Sequence, residues 1–264
     1  MLIVISPAKK LDETPYALPD GLTLTDPEFS KDALKLAGIA RKLTVDELRN
    51  LSGISENLAR LNKDRFAAFS ATPNAGTVFP AIHCFAGDTY IGLQARTMPS
   101  TTLHWASRRL RILSGLYGLL RPLDAIQAYR LEMGSRLANP KGPDLYAFWG
   151  GRLAKSINLL AQEQSAKVIV NCASVEYFGA LDRNCLKPRV ITPIFMEETD
   201  GGLKTVSFWA KRARGAMARF ICDNELTSPA DLLAFSHLGY RFRSDLSGEE
   251  KLVFSRPVSV EAAA

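Results

Sequence analysis

Met1-Leu-Ile-Val-Ile-Ser-Pro7 opens the chain. Residues 2–5 form an unbroken apolar run bounded by a polar residue and a proline, the pattern of a strand buried on both faces, as in parallel sheets. Lys167-Val-Ile-Val-Asn171 repeats it far downstream. Residues 190–196, 205–209 and 251–254 are rich in β-branched and aromatic side chains and read as further strands. Pro193 has no N–H for a ladder, so it marks an edge or a bulge in the first of these. Helical patterns lie between, at about 29–41, 45–51, 56–69, 103–113, 149–163, 209–223 and 229–235, and Asp200-Gly-Gly202 reads as a hairpin turn between two later strands. Strands mixed with helices and hairpins, and no Pro/Gly/Ser linker, predict one α/β (α+β) domain over 1–257 with a mixed β-sheet surrounded by helices. Residues 258–264, Val-Ser-Val-Glu-Ala-Ala-Ala, read as a disordered tail.

The chain has 264 residues, 47% of them hydrophobic, enough for a sizeable core. No run reaches the roughly 18 apolar residues that cross a bilayer, so no membrane partner is expected. The start lacks the basic, long apolar and small-residue segments of a signal peptide. Cys84, Cys172, Cys185 and Cys222 are scattered without a CxxC, which points to a reducing, cytoplasmic setting. Three of them, Cys84, Cys172 and Cys222, sit in apolar runs and read as small core residues. The three histidines, His83, His104 and His237, show no metal-binding spacing, and no GxGxxG, Walker or GxSxG pattern occurs, so neither a metal nor a cofactor is expected. The net charge of +6 permits a polyanionic partner without demanding one.

Residues 113–134 break every simple amphipathic pattern: Leu113-Ser-Gly-Leu-Tyr-Gly-Leu-Leu-Arg-Pro-Leu-Asp124 continues as Ala-Ile-Gln-Ala-Tyr-Arg-Leu-Glu-Met-Gly134. Glycines here imply unusual backbone or close approach. Arg121 precedes Pro122 and is held extended. Arg130 and Glu132, two apart, share a face on an extended segment. The region reads as a shaped loop lining a cleft, although a structural turn with its own ion pairs has the same composition.

These residues resemble the signature of the YaaA family, bacterial proteins named for peroxide stress. Met1 to Asp12, Gly87-Asp-Thr-Tyr-Ile-Gly-Leu-Gln-Ala95, Asp144-Leu-Tyr-Ala-Phe-Trp-Gly150, Asn171-Cys-Ala-Ser174 with Glu176-Tyr-Phe178, and Phe208-Trp-Ala-Lys-Arg-Ala-Arg-Gly215 carry the same resemblance over nearly the whole chain. Lys10 stands where the family usually has threonine. The resemblance implies a fold particular to the family and double-stranded DNA binding without sequence specificity through a helix–hairpin–helix. It also implies a cytoplasmic role in the oxidative stress response, limiting free iron and DNA damage.

Thr44-Val-Asp-Glu47 is a capping box, so a helix starts at Val45 and stops at Ser52-Gly53; Ser55 is a good N-cap for the next. Residues 44–69 thus resemble a helix–hairpin–helix, whose turn and following helix N-terminus offer amides to one phosphate. Arg49, Ser52, Gly53, Ile54, Ser55, Lys63 and Arg65 are the candidate contacts. Ser55 departs from the motif's second glycine, and an ordinary αα-hairpin has the same pattern. Lys211, Arg212, Arg214 and Arg219 give the 209–223 helix a one-signed face, and Arg108, Arg109 and Arg111 form a second basic cluster; either can track phosphates unless acids such as Asp182, Glu197 or Glu198 fold onto them.

Lys9 and the pair Asn171 and Ser174 follow buried strands, where ligands bind in α/β proteins. With Arg121, Arg130, Glu132, Glu176 and Tyr177 they form a candidate cleft for a small anionic ligand or for proton transfer, an enzyme of unnamed reaction standing as the alternative to a DNA-binding protein.

Overall fold

The computed structural model describes residues 1–257 and contains ten strands there: β1 (Leu2–Ile5), β2 (Phe79–Pro80), β3 (Leu110–Ser114), β4 (Gly118–Leu120), β5 (Ala125–Ile126), β6 (Val168–Cys172), β7 (Arg189–Thr199), β8 (Gly202–Lys204), β9 (Arg241–Phe242) and β10 (Lys251–Pro257). The tail at 258–264 lies outside the described residues. As its all-apolar sequence requires, every residue of β1 is buried. It lies between β3 and β6 and runs parallel to both. The order β4-β3-β1-β6-β7-β10-β9 completes one mixed sheet of eight strands, with β8 pairing β7. Its five inner strands are parallel, and β4, β8 and β9 join antiparallel at the margins. Helices surround this sheet in a single mixed α/β domain.

The strand order fixes where a site belongs. From β1 the chain crosses to β3 on one side; it next returns to β6 on the other side of β1 and continues outward to β7. Chain leaving the carboxyl ends of β1 and β6 therefore departs in opposite directions, which opens a crevice at that switch point.

Two local expectations are corrected and a third, the local edge at Pro193, is met. The 103–113 stretch is not one helix: the helix Ser100–Arg109 stops, and Leu110–Ser114 becomes β3, because an apolar run in the sheet centre outweighs helical spacing. No strand forms at 205–209, where Ser207 already begins the helix Ser207–Asp223. Pro193 lies inside β7, whose ladder with β6 ends at Ile191 and whose ladder with β10 begins at Thr192. The missing N–H thus faces a locally free side.

The helices α1 (Ser30–Ala40), α2 (Val45–Ser52) and α3 (Glu56–Ala68) form where their patterns place them. Both halves of the Thr44–Glu47 capping box are made. A second pair of helices, Asp88–Leu93 and Ser207–Asp223, meets backbone to backbone: a Cβ on Gly92 would stand 2.0 Å from the Arg212 carbonyl oxygen, and one on Gly215 1.7 Å from that of Thr89.

Candidate strand-end cleft and basic surfaces

The loops after β1 and β6 are tied together at the switch point. Ser174 N donates to Ser6 Oγ at 2.9 Å, and the two hydroxyl oxygens lie 3.3 Å apart. Ser174 also caps the helix Val175–Phe178 by accepting from Tyr177 N at 3.4 Å, which presents Glu176 and Tyr177 to the neighbouring loop. Glu176 Oε1 accepts from Gly134 N at 2.9 Å. Asn171 spends its amide on the turn, accepting from Ala173 N at 3.0 Å and donating to Thr192 Oγ1 at 3.4 Å.

Glu132 stands at the centre of this arrangement and is only 9% exposed. Its Oε1 accepts from Arg130 Nε at 3.0 Å and lies 3.9 Å from Lys9 Nζ. Its Oε2 is buried and has no hydrogen-bond partner among the described residues. Buried polar atoms are nearly always paired, and a carboxylate oxygen in low dielectric more than most. Lys9, Arg130, Glu132 and Tyr177 line a crevice of about 10 Å³, room for about one water. The Lys9 side chain is 67% exposed and forms its movable outer edge. Burial, reinforced by Glu176 and Glu132 and offset in part by the Met133 backbone, drives the Tyr177 hydroxyl far above its ordinary pKa, so this lining residue keeps its proton.

Asn62, unremarked in the sequence, holds Arg130 in place. Its amide donates to the Arg130 carbonyl at 2.8 Å and accepts from the Arg130 N–H at 2.9 Å, and the residue is 1% exposed. The only signal was an Asn on the otherwise apolar face of α3. This two-point clamp ties the second helix of the hairpin to the cleft.

Arg121 does not join Lys9, Arg130 and Glu132. The β3–β4 turn sends the chain back along β3, so Arg121 ends beside Arg111 in another hollow that includes Glu28 and Glu163. There it pairs with Asp124 at 2.9 Å and donates to the Asp26 carbonyl at 2.5 Å.

Between α2 and α3 the backbone turns through Gly53 in the left-handed region, φ 58°. Ile54 is buried, and Ser55 Oγ accepts from Leu58 N at 3.4 Å. The charged candidates already have partners. Arg49 lies 3.5 Å from Asp46, Lys63 donates to the carbonyls of Arg41 and Leu43 at 2.6 Å each, and Arg65 pairs with Glu13. Ser52 Oγ is buried without a partner among the described residues.

The basic helix is also partly committed. Arg219 pairs with Asp223 at 2.6 Å and donates to the Gln94 carbonyl at 2.9 Å. Arg212 lies over the Phe208 ring at 4.3 Å, Arg214 is lowered from its ordinary pKa by burial, and Lys211 is exposed. Glu197 pairs with the buried Arg256 rather than with this helix. In the other basic cluster Arg111 is buried and bonds the Ser107 carbonyl at 3.0 Å, while Arg109 packs over Trp105.

Thiol chemistry finds no activated group. Burial pushes Cys84 and Cys172 up to about 12 and Cys222 higher, and the bond Cys185 Sγ donates to Asp182 raises that exposed thiol too. Among the described residues no three His, Cys, Asp or Glu side chains are grouped as a metal site needs. No described helix is long and apolar enough to cross a membrane.

The family model described as peroxide stress protein YaaA matches residues 1–246. A UPF0246 protein of Ruegeria pomeroyi is 55% identical over 257 residues, 97% of this chain and 99% of its own. One from Cereibacter sphaeroides is 57% identical with the same coverage, and one from Dinoroseobacter shibae is 53% identical over 264 residues, covering 100% of this chain and 98% of its own.

Proposed function

The chain belongs to the peroxide stress protein YaaA family, and we propose that it serves peroxide tolerance through the strand-end cleft centred on Glu132. The observation that carries this reading is the unpaired, buried Oε2 of Glu132 beside Arg130, Lys9 and Tyr177. Two cations to one carboxylate favour a small anionic ligand. The free carboxylate oxygen accepts a bond or a proton from an O–H or N–H on that ligand, and Tyr177 donates to its oxyanion. Because the crevice holds about one water, the ligand enters by lifting the exposed Lys9 arm. The test is complementation of peroxide-challenged cells. Glu132→Gln and Arg130→Ala proteins that fold and accumulate normally are expected to fail, and restoration of full tolerance by both ends this reading.

A second reading is cytoplasmic, sequence-independent binding of duplex DNA, favoured by the left-handed turn at Gly53 leading straight into the capped N-terminus of α3. Amides there suit one phosphate, and Lys211 with the Lys9 edge supplies exposed positive charge. Restraint of free iron and of DNA damage lies downstream of one or both surfaces. Mobility-shift assays from low to physiological salt separate the readings: affinity should fall steeply with salt, and absence of a shift at the lowest salt removes this one while leaving the cleft untouched.

A further inference from the structure

The loop after β1 faces two ways. Lys9 leans towards Glu132, whereas Lys10 and Asp12 line a separate cavity of about 560 Å³. The chain bends at Lys9 and Lys10, which turns the two side chains to different sides. Here that division is held by Asp12 N donating to the Cys84 carbonyl at 2.7 Å and Ala86 N donating to that of Lys10 at 2.9 Å. The cavity's size is that of a small-molecule site.

His83 lines it, is 4% exposed, and has no hydrogen-bond partner at either ring nitrogen among the described residues. The Ala95 backbone comes near enough to offset part of the effect of burial but makes no bond of normal geometry; burial still takes the imidazole down to about 4, so the ring is neutral. A neutral imidazole presents one N–H and one lone pair, and leaving both unmet in a buried site is costly. Tyr16 packs on the ring at 3.8 Å between centroids. Phe85, Tyr90 and Ile91 make apolar walls. At the edge Arg96 pairs with Asp12 at 2.9 Å and Lys10 is exposed, leaving one positive charge in excess. Gln94, at φ 49°, is the left-handed C-cap of the helix Asp88–Leu93 and places that helix end on the cavity rim.

We propose that this cavity binds a planar heteroaromatic ring carrying an anionic group, its anion on Lys10 and Arg96 and its polar ring edge meeting His83 as the Tyr16 ring, which packs on the imidazole, gives way. Aromatic walls favour a flat ring, the unmet nitrogens exclude a plain hydrocarbon, and the excess charge selects the anion. Nucleoside monophosphates and pyridine carboxylates share this chemistry. The site is distinct from the Glu132 cleft and goes beyond the function proposed for it.

The test is titration of the full chain, with its histidine nitrogens isotopically labelled, against adenosine, guanosine and cytidine monophosphates, nicotinate and inorganic phosphate. At least one ring-bearing probe should saturate and move the His83 nitrogen resonances, while phosphate alone does not. His83→Phe, which keeps the ring but removes both nitrogens, should weaken that probe about tenfold. If His83→Phe fails to fold, Lys10→Glu, exposed and outside the core, should weaken it instead. Glu132→Gln should bind as the wild type does, so failure here is separable from failure of the cleft. No saturation by any ring-bearing probe, saturation that leaves the His83 resonances unmoved, an equal response to phosphate alone, or an undiminished affinity in the folded variant overturns the proposal.

Discussion

The strand-end side of the sheet and the charged side chains of the α2–α3 hairpin stand in opposite states, although Ser52 Oγ in α2 is also buried without a partner among the described residues. At the strand ends polar atoms are buried and short of partners: Glu132 Oε2 and both nitrogens of His83. At the hairpin the charged side chains have met their needs locally, Arg49 on Asp46, Lys63 on two carbonyls and Arg65 on Glu13. An exposed pair is worth little either way, because water competes for both members. A buried unpaired group represents real free energy, which a ligand can recover on binding. The location of unmet demand, more than the density of charge, is what separates a candidate site from a solvated face.

The largest effect should come from the frame beneath the strand-end side. Gly215→Ala places a carbon 1.7 Å from the Thr89 carbonyl oxygen, and the two helices must part. Denaturant melts should show a loss of about 3 kcal/mol or more, and the helix Asp88–Leu93, which walls the His83 cavity, should lose hydrogen-exchange protection first. A loss near that of Gly53→Ala would mean the close contact is soft, and would break the contrast.

Acid gives the next effect. The His83 pKa of about 4 lies below its unfolded value of 6.5, so the unfolded chain takes up a proton that the folded chain refuses. The sign follows: stability is full above pH 6.5 and falls as pH drops towards 4, by roughly 3 kcal/mol at most from this residue. Melts of His83→Phe against wild type across that range should isolate the component, since the carboxylates are common to both. Parallel curves would mean that His83 takes up its proton alike in the folded and unfolded chain.

Asn62→Ala should cost about 2 kcal/mol by leaving the Arg130 amide and carbonyl unpaired. It should also impair peroxide complementation, because Arg130 loses its position beside Glu132. Loss of stability with tolerance intact would uncouple α3 from the cleft.

The smallest effects belong to the hairpin. Gly53→Ala should cost about 1 kcal/mol through its left-handed backbone. Arg49→Ala should change stability by less than about 0.5 kcal/mol. If the hairpin anchors a phosphate, Arg49→Ala should lower the magnitude of the salt slope of DNA binding by about one; an unchanged slope places Arg49 off the DNA.

Much of this was legible in the chain. The apolar runs at 2–5 and 167–171 gave two central strands, and the capping box at Thr44 marked the start of α2 to the residue. Short range is where sequence is informative, since caps and alternation act within a few residues. Arg130 and Glu132 could be paired for the same reason, being two apart on extended backbone. Arg121 could not be separated from them, because its direction depends on the β3–β4 reversal, a tertiary outcome. Asn62 was invisible because its partner lies 68 residues away, and the His83 cavity because its walls come from the 10–12 and 82–97 segments. The helix expected over 103–113 failed where burial in the sheet overrode local periodicity.

The meeting of Gly92 with Gly215 also bears on how variation among relatives should be read. Two positions whose side chains are each excluded by the backbone of the facing helix, Arg212 and Ala216 for Gly92 and Thr89 and Leu93 for Gly215, can drift neither singly nor as a pair, whatever the protein binds. Selection for folding alone is enough to freeze them. Invariance at these two glycines would therefore carry no functional information, even though Gly215 closes a segment rich in arginine and invites that reading. The residues whose variation would be informative are those that could change without harm to the fold: Lys9 and Lys10, exposed at the edges of two different hollows.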